Sequence, residues 1–321
     1  MRRREFLSRM VHCAGVGALS GVTSGCGDAD LMEESAALAL AEDPAIAAEG
    51  DLFFKLSLAQ WSLHRSLWSG ELDHLDFAAT ARELGFGAIE YVNTFFLDRA
   101  LDETYLDEMN RRADDAGVQQ LLIMVDAEGS LGDADDQSRR LAVEKHHKWV
   151  DAAARLRCHS IRVNAQGKGE AADVAERVVE SLGMLAQYAA PRGINVLVEN
   201  HGGHSSNGAW LAGIMSEVGA ENCGTLPDFG NFRMSMFPPR DYDRYTGVKE
   251  LMPWARGVSA KSYDFLADGT ESSMEYVRLL EIVRDAGYKG HIGVEYEGSR
   301  LGERAGILAT AALLRRVGRD L

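Results

Sequence analysis

From residue 52 onward, short apolar runs alternate with longer amphipathic stretches, eight times over. The strand-like runs fall at 54–59, 87–92, 119–125, 158–163, 194–199, 222–227, 256–261 and 290–296. Between them, helical patterns occupy 73–85, 104–117, 136–156, 171–191, 207–219, 247–254, 272–287 and 301–317. Several of these end in glycine, as in Leu84-Gly85, Ala116-Gly117, Arg192-Gly193 and Ala286-Gly287, with the next strand two or three residues on. Glycine there supplies the left-handed helix cap. Strand and helix in strict alternation imply parallel βαβ units. Eight of them in about 270 residues match a closed (β/α)8 TIM barrel of the α/β class. An open doubly wound sheet would carry a glycine-rich phosphate turn after its first strand, and Leu58-Ala59-Gln60-Trp61-Ser62 has none. No linker interrupts this stretch, so 51–321 reads as one domain.

The segment before it reads differently. Met1-Arg2-Arg3-Arg4-Glu5-Phe6-Leu7-Ser8-Arg9 followed by a weakly apolar, Gly- and Ala-rich stretch resembles a twin-arginine export signal over 1–26. Thr23-Ser24-Gly25-Cys26 resembles a lipoprotein cleavage box with Thr23 in place of the usual Leu, which leaves both plain cleavage and a lipid anchor at Cys26 open. Residues 27–50, rich in Ala, Glu and Asp, read as a disordered linker. The expected location is therefore the periplasm or cell envelope, with Cys26 the one route to a membrane. Cys158 and Cys223 are too few for a disulfide scaffold and read as buried small apolar residues.

Charge narrows the function classes. Lys and Arg number 34 against 49 Asp and Glu, a net −15. The first 26 residues carry four Arg and one Glu, or +3, so the remainder carries −18. A body that acidic lacks the surface that neutralises phosphates, which argues against a nucleic-acid partner.

In a barrel of this kind, chemistry gathers at the C-terminal ends of the strands. Unusual polar residues gather there: Gln60, Trp61 and His64 after the first strand, Glu90 and Asn93 at the second, Asp126 and Glu128 at the third, and Arg162 and Asn164 at the fourth. The fifth ends in Glu199-Asn200-His201 with His204 beyond, and the sixth in Asp228-Phe229-Gly230-Asn231. The seventh ends at Lys261 and the eighth carries Glu295. Three carboxylates converging from Glu199, Asp228 and Glu295 would repel one another unless a cation shared them. A divalent metal with oxygen ligands meets that need. His64, His201 and His204 are candidates to donate to hydroxyls. Trp61, Tyr91, Phe229 and Phe232 are candidates either to stack on a sugar face or to pack in the core. Arg162 reads as a clamp for the substrate or as the partner of Glu199.

The segments Val196-Leu197-Val198-Glu199-Asn200-His201, Pro227-Asp228-Phe229-Gly230-Asn231 and Gly293-Val294-Glu295-Tyr296, in this order and spacing, resemble the xylose isomerase-like barrels of the sugar phosphate isomerase/epimerase superfamily over about 54–317. The resemblance implies a metal held by Glu199, Asp228 and Glu295, with Mn, Mg, Co or Zn as the ion. It also implies a histidine after the seventh strand, where this chain has Ser259; water, His201 or another side chain would complete the set. The family's common lysine matches Lys261, and a histidine three places after the aspartate is replaced by Asn231. The implied activity is an isomerase or epimerase that removes a proton next to the carbonyl of a non-phosphorylated sugar or cyclitol, through a metal-stabilised enediolate. Glu199 and Glu295 are then the proton-transfer pair, with Lys261 polarising the oxygen. Gln60, Trp61, His64, Glu90, Asn93, Arg162, Asn164, His201, His204 and Asn231 are the expected substrate contacts. A lyase or hydratase acting on keto-glycosides through the same enolate, and a non-catalytic sugar-binding protein, stay open beside it, as does a homo-oligomer.

Overall fold

The computed structural model describes residues 52–321; the export signal, the linker and Cys26 lie outside the described residues. Eight parallel strands form one curled sheet: β1 (Lys55–Ala59), β2 (Ala88–Val92), β3 (Gln119–Met124), β4 (Ser160–Asn164), β5 (Asn195–Glu199), β6 (Cys223–Leu226), β9 (Val258–Ser262) and β10 (His291–Tyr296). Their spatial order is β6-β5-β4-β3-β2-β1-β10-β9. The two outer members meet through parallel bridges Thr225–Ala255 and Asp228–Ser259. Backbone bonds from Ser259 N to the Pro227 carbonyl (2.9 Å) and from Phe229 N to the Ser259 carbonyl (3.0 Å) complete the seam. The sheet thus closes into the (β/α)8 barrel that the alternation predicts, and its seam runs through two of the candidate site residues.

The helices α2 (Phe77–Glu83), α3 (Glu103–Ala116), α4 (Asp136–Arg155), α5 (Ala171–Ala189), α6 (Gly208–Val218), α7 (Arg244–Leu251), α8 (Tyr276–Asp285) and α9 (Glu303–Asp320) follow the strands. Four start on an acidic or amide cap, with Asp102, Asp135, Asn207 and Asp243 accepting from backbone N–H groups of the first turn. Gly117 and Gly193 end their helical segments at φ +64° and +70°, conformations a side chain disfavours. α9 packs closely on β10 because Gly306 has no side chain: a Cβ there would lie 2.2 Å from the Tyr296 ring. Cys158 and Cys223 are free and buried.

Two insertions do not follow the eight-fold reading. A 3-10 turn (Gln60–Leu63) and a short helix α1 (His64–Ser69) stand between β1 and α2. An antiparallel hairpin, β7 (Arg233–Met236) with β8 (Pro239–Asp241), stands between β6 and α7. Both leave the C-terminal end of a barrel strand, the end on which side chains for chemistry are mounted.

Successive residues on a strand point to opposite faces, and here that alternation sorts the chain into two kinds of interior. Leu56, Leu58, Ile89, Ile123, Ile161, Val163, Val196, Val198, Val258, Ala260, Ile292 and Val294 face outward into the main core against the helices. The inward faces carry a small apolar layer of Ala59, Val92, Leu122, Met124, Leu197 and Leu226. Most other inward positions are polar, among them Ser57, Glu90, Arg162, Glu199, Ser259, Lys261 and Glu295, all buried. A barrel of this type is ordinarily filled by branched apolar side chains, so a polar filling sets this interior apart.

Candidate active site

Glu199 ends β5, Asp228 lies two residues past β6, and Glu295 sits one residue from the end of β10. One carboxylate oxygen from each lies within 4.8 Å of the other two, and all three side chains are buried. The Asp228 loop is held by its neighbours. Asn200 donates its amide to the Asp228 carbonyl at 2.9 Å and accepts from the Asp228 N–H at 2.8 Å. Asp228 Oδ1 accepts from the N–H groups of Gly230 (2.8 Å) and Asn231 (2.7 Å). Asn231 donates its side-chain amide to Glu199 Oε1 at 2.9 Å, so it joins two members of the trio.

Two cations serve this interior. Arg162 places Nε 2.8 Å from Glu199 Oε2 and Nη1 2.8 Å from Asp126 Oδ1. Lys261 Nζ lies 2.8 Å from Glu295 Oε1 and 3.2 Å from Glu297 Oε1. Asp126 also accepts from Asn164 (2.7 Å), and its own backbone is held on both sides by Asn93. Six carboxylates, those of Glu90, Asp126, Glu199, Asp228, Glu295 and Glu297, thus face Arg162 and Lys261. The imbalance shows in their acidities. Burial pushes Asp228 up to about 7 against the pull of Lys261. Burial likewise raises Glu199 to about 7 despite Arg162. Glu90 rises to about 7 through burial, opposed by a 2.6 Å hydrogen bond from Ser57. Burial works against the charge of Glu295 too, yet the Lys261 ammonium holds its carboxyl below the usual range.

A divalent cation fits this set of donors. Ser259 has one hydroxyl proton but reaches two carboxylate oxygens, Asp228 Oδ2 at 2.7 Å and Glu295 Oε2 at 2.9 Å. One hydroxyl can satisfy one of them, and the other contact calls for a bound proton or a metal. Glu199 Oε2 is buried and, although close to Arg162 Nε, makes no aligned hydrogen bond; Glu90 Oε2 is buried and unbonded as well. Three carboxylates and a hydroxyl make an all-oxygen donor set, the kind that suits hard cations such as Mg²⁺ and Mn²⁺.

The remaining predicted residues fall into two groups. Gln60 accepts from Val92 N at 2.9 Å, and its buried Nε2 has no hydrogen-bond partner. Glu90 fits because Gly293 faces it: a Cβ on Gly293 would lie 2.8 Å from both carboxylate oxygens. His201 is held low by burial and by Arg162, and its buried Nδ1 makes no hydrogen bond. His201 and His204 line a cavity of about 710 Å³ over the loops after β3, β4 and β5, together with Ser130, Asp133, Gln166 and Lys168. His204 Nε2 meets the Gly169 carbonyl at 3.0 Å. His64 stands apart, its Nδ1 against the Trp61 carbonyl at 2.7 Å and 3.8 Å from Glu303. Of the four aromatic candidates, Trp61 is partly exposed at the mouth, whereas Tyr91, Phe229 and Phe232 are buried core residues. Those three belong to the main core cluster. Two site features were not singled out from the sequence: Glu297, which follows β10, and Ser57. The inward register of β1 and β10 carries the signal for Ser57, since Ser57 pairs with Gly293 across the two strands.

Protonated carboxyls in the folded state set a pH dependence. Asp228 and Glu90 bind protons more tightly when folded, at about 7, than at their ordinary values of 3.8 and 4.5. Between those limits the folded chain holds more protons than the unfolded one, so stability falls as pH rises. The metal-free chain is expected to lose thermal stability from about pH 4.5 to about pH 7, with added Mg²⁺ or Mn²⁺ offsetting the loss most at the upper end. Melting curves with and without the ion across that window check this; a metal-free chain that gains stability over the same range would contradict it.

With fold and geometry in place, the chain belongs to the xylose isomerase-like TIM barrel family, whose sequence pattern it matches over residues 78–317. No curated protein matches it in sequence. Among solved structures it is similar to a D-psicose 3-epimerase determined in the presence of D-fructose, with 15% identity, TM-score 0.65, and coverage of 83% of this chain and 100% of that one. It is similar to the apo form of a 3-keto-D-glucoside 4-epimerase from E. coli, at 15% identity, TM-score 0.61, and 76% and 94% coverage. It is also similar to a xylose isomerase-like TIM barrel protein from Mycobacterium smegmatis in complex with magnesium, at 16% identity, TM-score 0.62, and 83% and 97% coverage.

Proposed function

We propose that this protein is a divalent-metal-dependent sugar isomerase or epimerase that moves a proton at the carbon next to a carbonyl. The observation that carries the reading is the convergence of Glu199, Asp228 and Glu295 within 4.8 Å in a buried polar interior. The similar structures, two epimerases of sugars and a magnesium complex, agree with it. Bound by Glu199, Asp228 and Glu295, a divalent cation would polarise the carbonyl and stabilise the negative charge that develops as the neighbouring proton leaves.

The chain's own groups divide the proton transfer between them. Two carboxyls whose surroundings push their acidities apart take acid and base roles. Lys261, 2.8 Å from Glu295, holds that carboxyl ionised and ready to accept a proton. Glu199 is the second carboxyl, placed to return the proton from the other side; in the metal-free chain burial raises it to about 7. The two come from β10 and β5, well separated around the barrel, as transfer on two faces of one carbon requires. Arg162 and Asn231 orient Glu199, and Asp126 fixes Arg162. Arg162 and Lys261 are each already engaged by two carboxylates, so neither is left as a phosphate clamp. A non-phosphorylated sugar fits that distribution of charge.

The test is solvent exchange. The chain loaded with Mg²⁺ or Mn²⁺ is incubated with ketoses and 3-keto-glycosides in deuterated water, and deuterium is sought at the carbon beside the carbonyl. Exchange that needs the ion is expected, and the product tells epimer from elimination. Sugar binding with no exchange in any substrate would leave a binding protein instead.

A further inference from the structure

A cluster of rings at the barrel mouth has no part in the proton-transfer site. Trp61 follows β1, Phe95 follows β2, and Trp68 stands on α1. Trp61 and Phe95 pack on the inner apolar layer of the barrel, so they continue its interior wall to the mouth. His64 lies nearly flat on Trp61, with centroids 5.0 Å apart and planes 16° apart. Trp68 meets Trp61 edge-on at 5.1 Å and 88°, and Phe95 lies 6.2 Å from Trp61 and 6.1 Å from Trp68. The cluster is wired to the acidic trio. Trp61 Nε1 donates to the Glu297 carboxylate, Lys261 Nζ lies 3.2 Å from that carboxylate, and Lys261 reaches Glu295 at 2.8 Å.

Packing accounts for Trp61 and Phe95 but not for Trp68. Its side chain is 60% exposed on a helix of six residues, so it contributes little burial to the fold. An open indole continuous with other rings, beside a polar interior, is the arrangement that takes the flat face of a ring.

We propose that Trp68, with Trp61, Phe95 and His64, forms a subsite for the ring-bearing aglycone of a glycoside, whether an aromatic ring or a second pyranose. The substrate is then a glycoside and not a free monosaccharide. The proposal rests on the reading above only for where the reacting sugar sits, at Glu199, Asp228 and Glu295.

Calorimetric titration of the full, Mg²⁺-loaded chain with phenyl β-D-glucopyranoside, cellobiose and methyl β-D-glucopyranoside tests it. The phenyl glycoside, cellobiose or both are expected to bind about tenfold more tightly than the methyl glycoside, the size of one good ring contact. Which of the two does so identifies the ring. In Trp68→Ala that advantage is expected to fall to about twofold or less, and in Trp68→Phe most of it returns. An equal affinity for all three probes, an advantage that survives in Trp68→Ala, or no binding by any of them would each overturn the subsite. Proton transfer is scored separately by deuterium exchange on 3-keto-glycosides, with free ketoses alongside. Absent exchange with the ring preference intact removes the catalytic reading alone, and exchange without ring preference removes the subsite alone.

Discussion

Replacing Glu199 by Gln is expected to slow solvent exchange by about 10²- to 10⁴-fold, the usual contribution of a positioned acid–base group. The variant keeps the shape of the wild type. Asn231 donates to Glu199 Oε1 at 2.9 Å, and an amide oxygen accepts that bond equally well. Arg162 loses one partner but keeps Asp126 at 2.8 Å, so it is not left as a bare buried charge. Melting should therefore move by only a few degrees while exchange collapses. Metal content, measured on the same sample, separates two causes. Lost exchange with the ion retained assigns proton transfer to Glu199, and loss of both assigns it to holding the ion. Exchange within tenfold of wild type at saturating metal would remove Glu199 from the chemistry.

Much of this arrangement can be read in the sequence because it is written in periods. The eight strands fall within two residues of the apolar runs, since each run is buried on at least one face and bounded by capping glycines or polar turns. The carboxylates at 199, 228 and 295 stand out because charge at the end of such a run is costly without a partner. What the sequence conceals is pairing across the barrel. Lys261 follows the sixth strand's Asp228 in chain order and reads equally well as its partner, yet it bonds to Glu295 on the adjacent β10 and to Glu297 just after it. Asp126 reads as one more loop acid, and only the β3–β4 neighbourhood turns it into the anchor of Arg162 and Asn164. The hairpin β7–β8 is missed because Arg233–Met236 and Pro239–Asp241 are short and largely exposed, with no apolar period to announce them. α1 is hidden for the same reason, since none of its six residues is buried.

Lys261→Met should be the most destabilising single change in this interior. The side chain is 2% exposed, and burial would by itself disfavour its charge; Glu295, Asp228 and Glu297 hold the ammonium protonated well above its usual range. Removing it leaves Glu295 Oε1 buried without its donor and takes from Asp228 the cation that opposes its burial. Breaking a buried pair in this way costs about 3–5 kcal/mol, or roughly 10 °C of melting temperature for a chain of this size. Methionine fills most of the lysine's volume, so the loss reports charge and not a cavity. Its pH dependence distinguishes the two. Without Lys261 the Glu295 carboxyl loses the strongest of the groups that hold it low, Arg162 and Ser259 being the weaker ones, and burial then raises it. The variant's deficit should therefore be largest near pH 8 and shrink toward pH 5, where the carboxyl binds a proton in the folded state. Excess Mg²⁺ or Mn²⁺ should also narrow the gap at pH 8, because a cation held by Glu199, Asp228 and Glu295 supplies the positive charge that the lysine took with it. A deficit below about 1 kcal/mol, or one that stays the same from pH 5 to pH 8, would mean that the carboxylates are neutralised by groups other than Lys261.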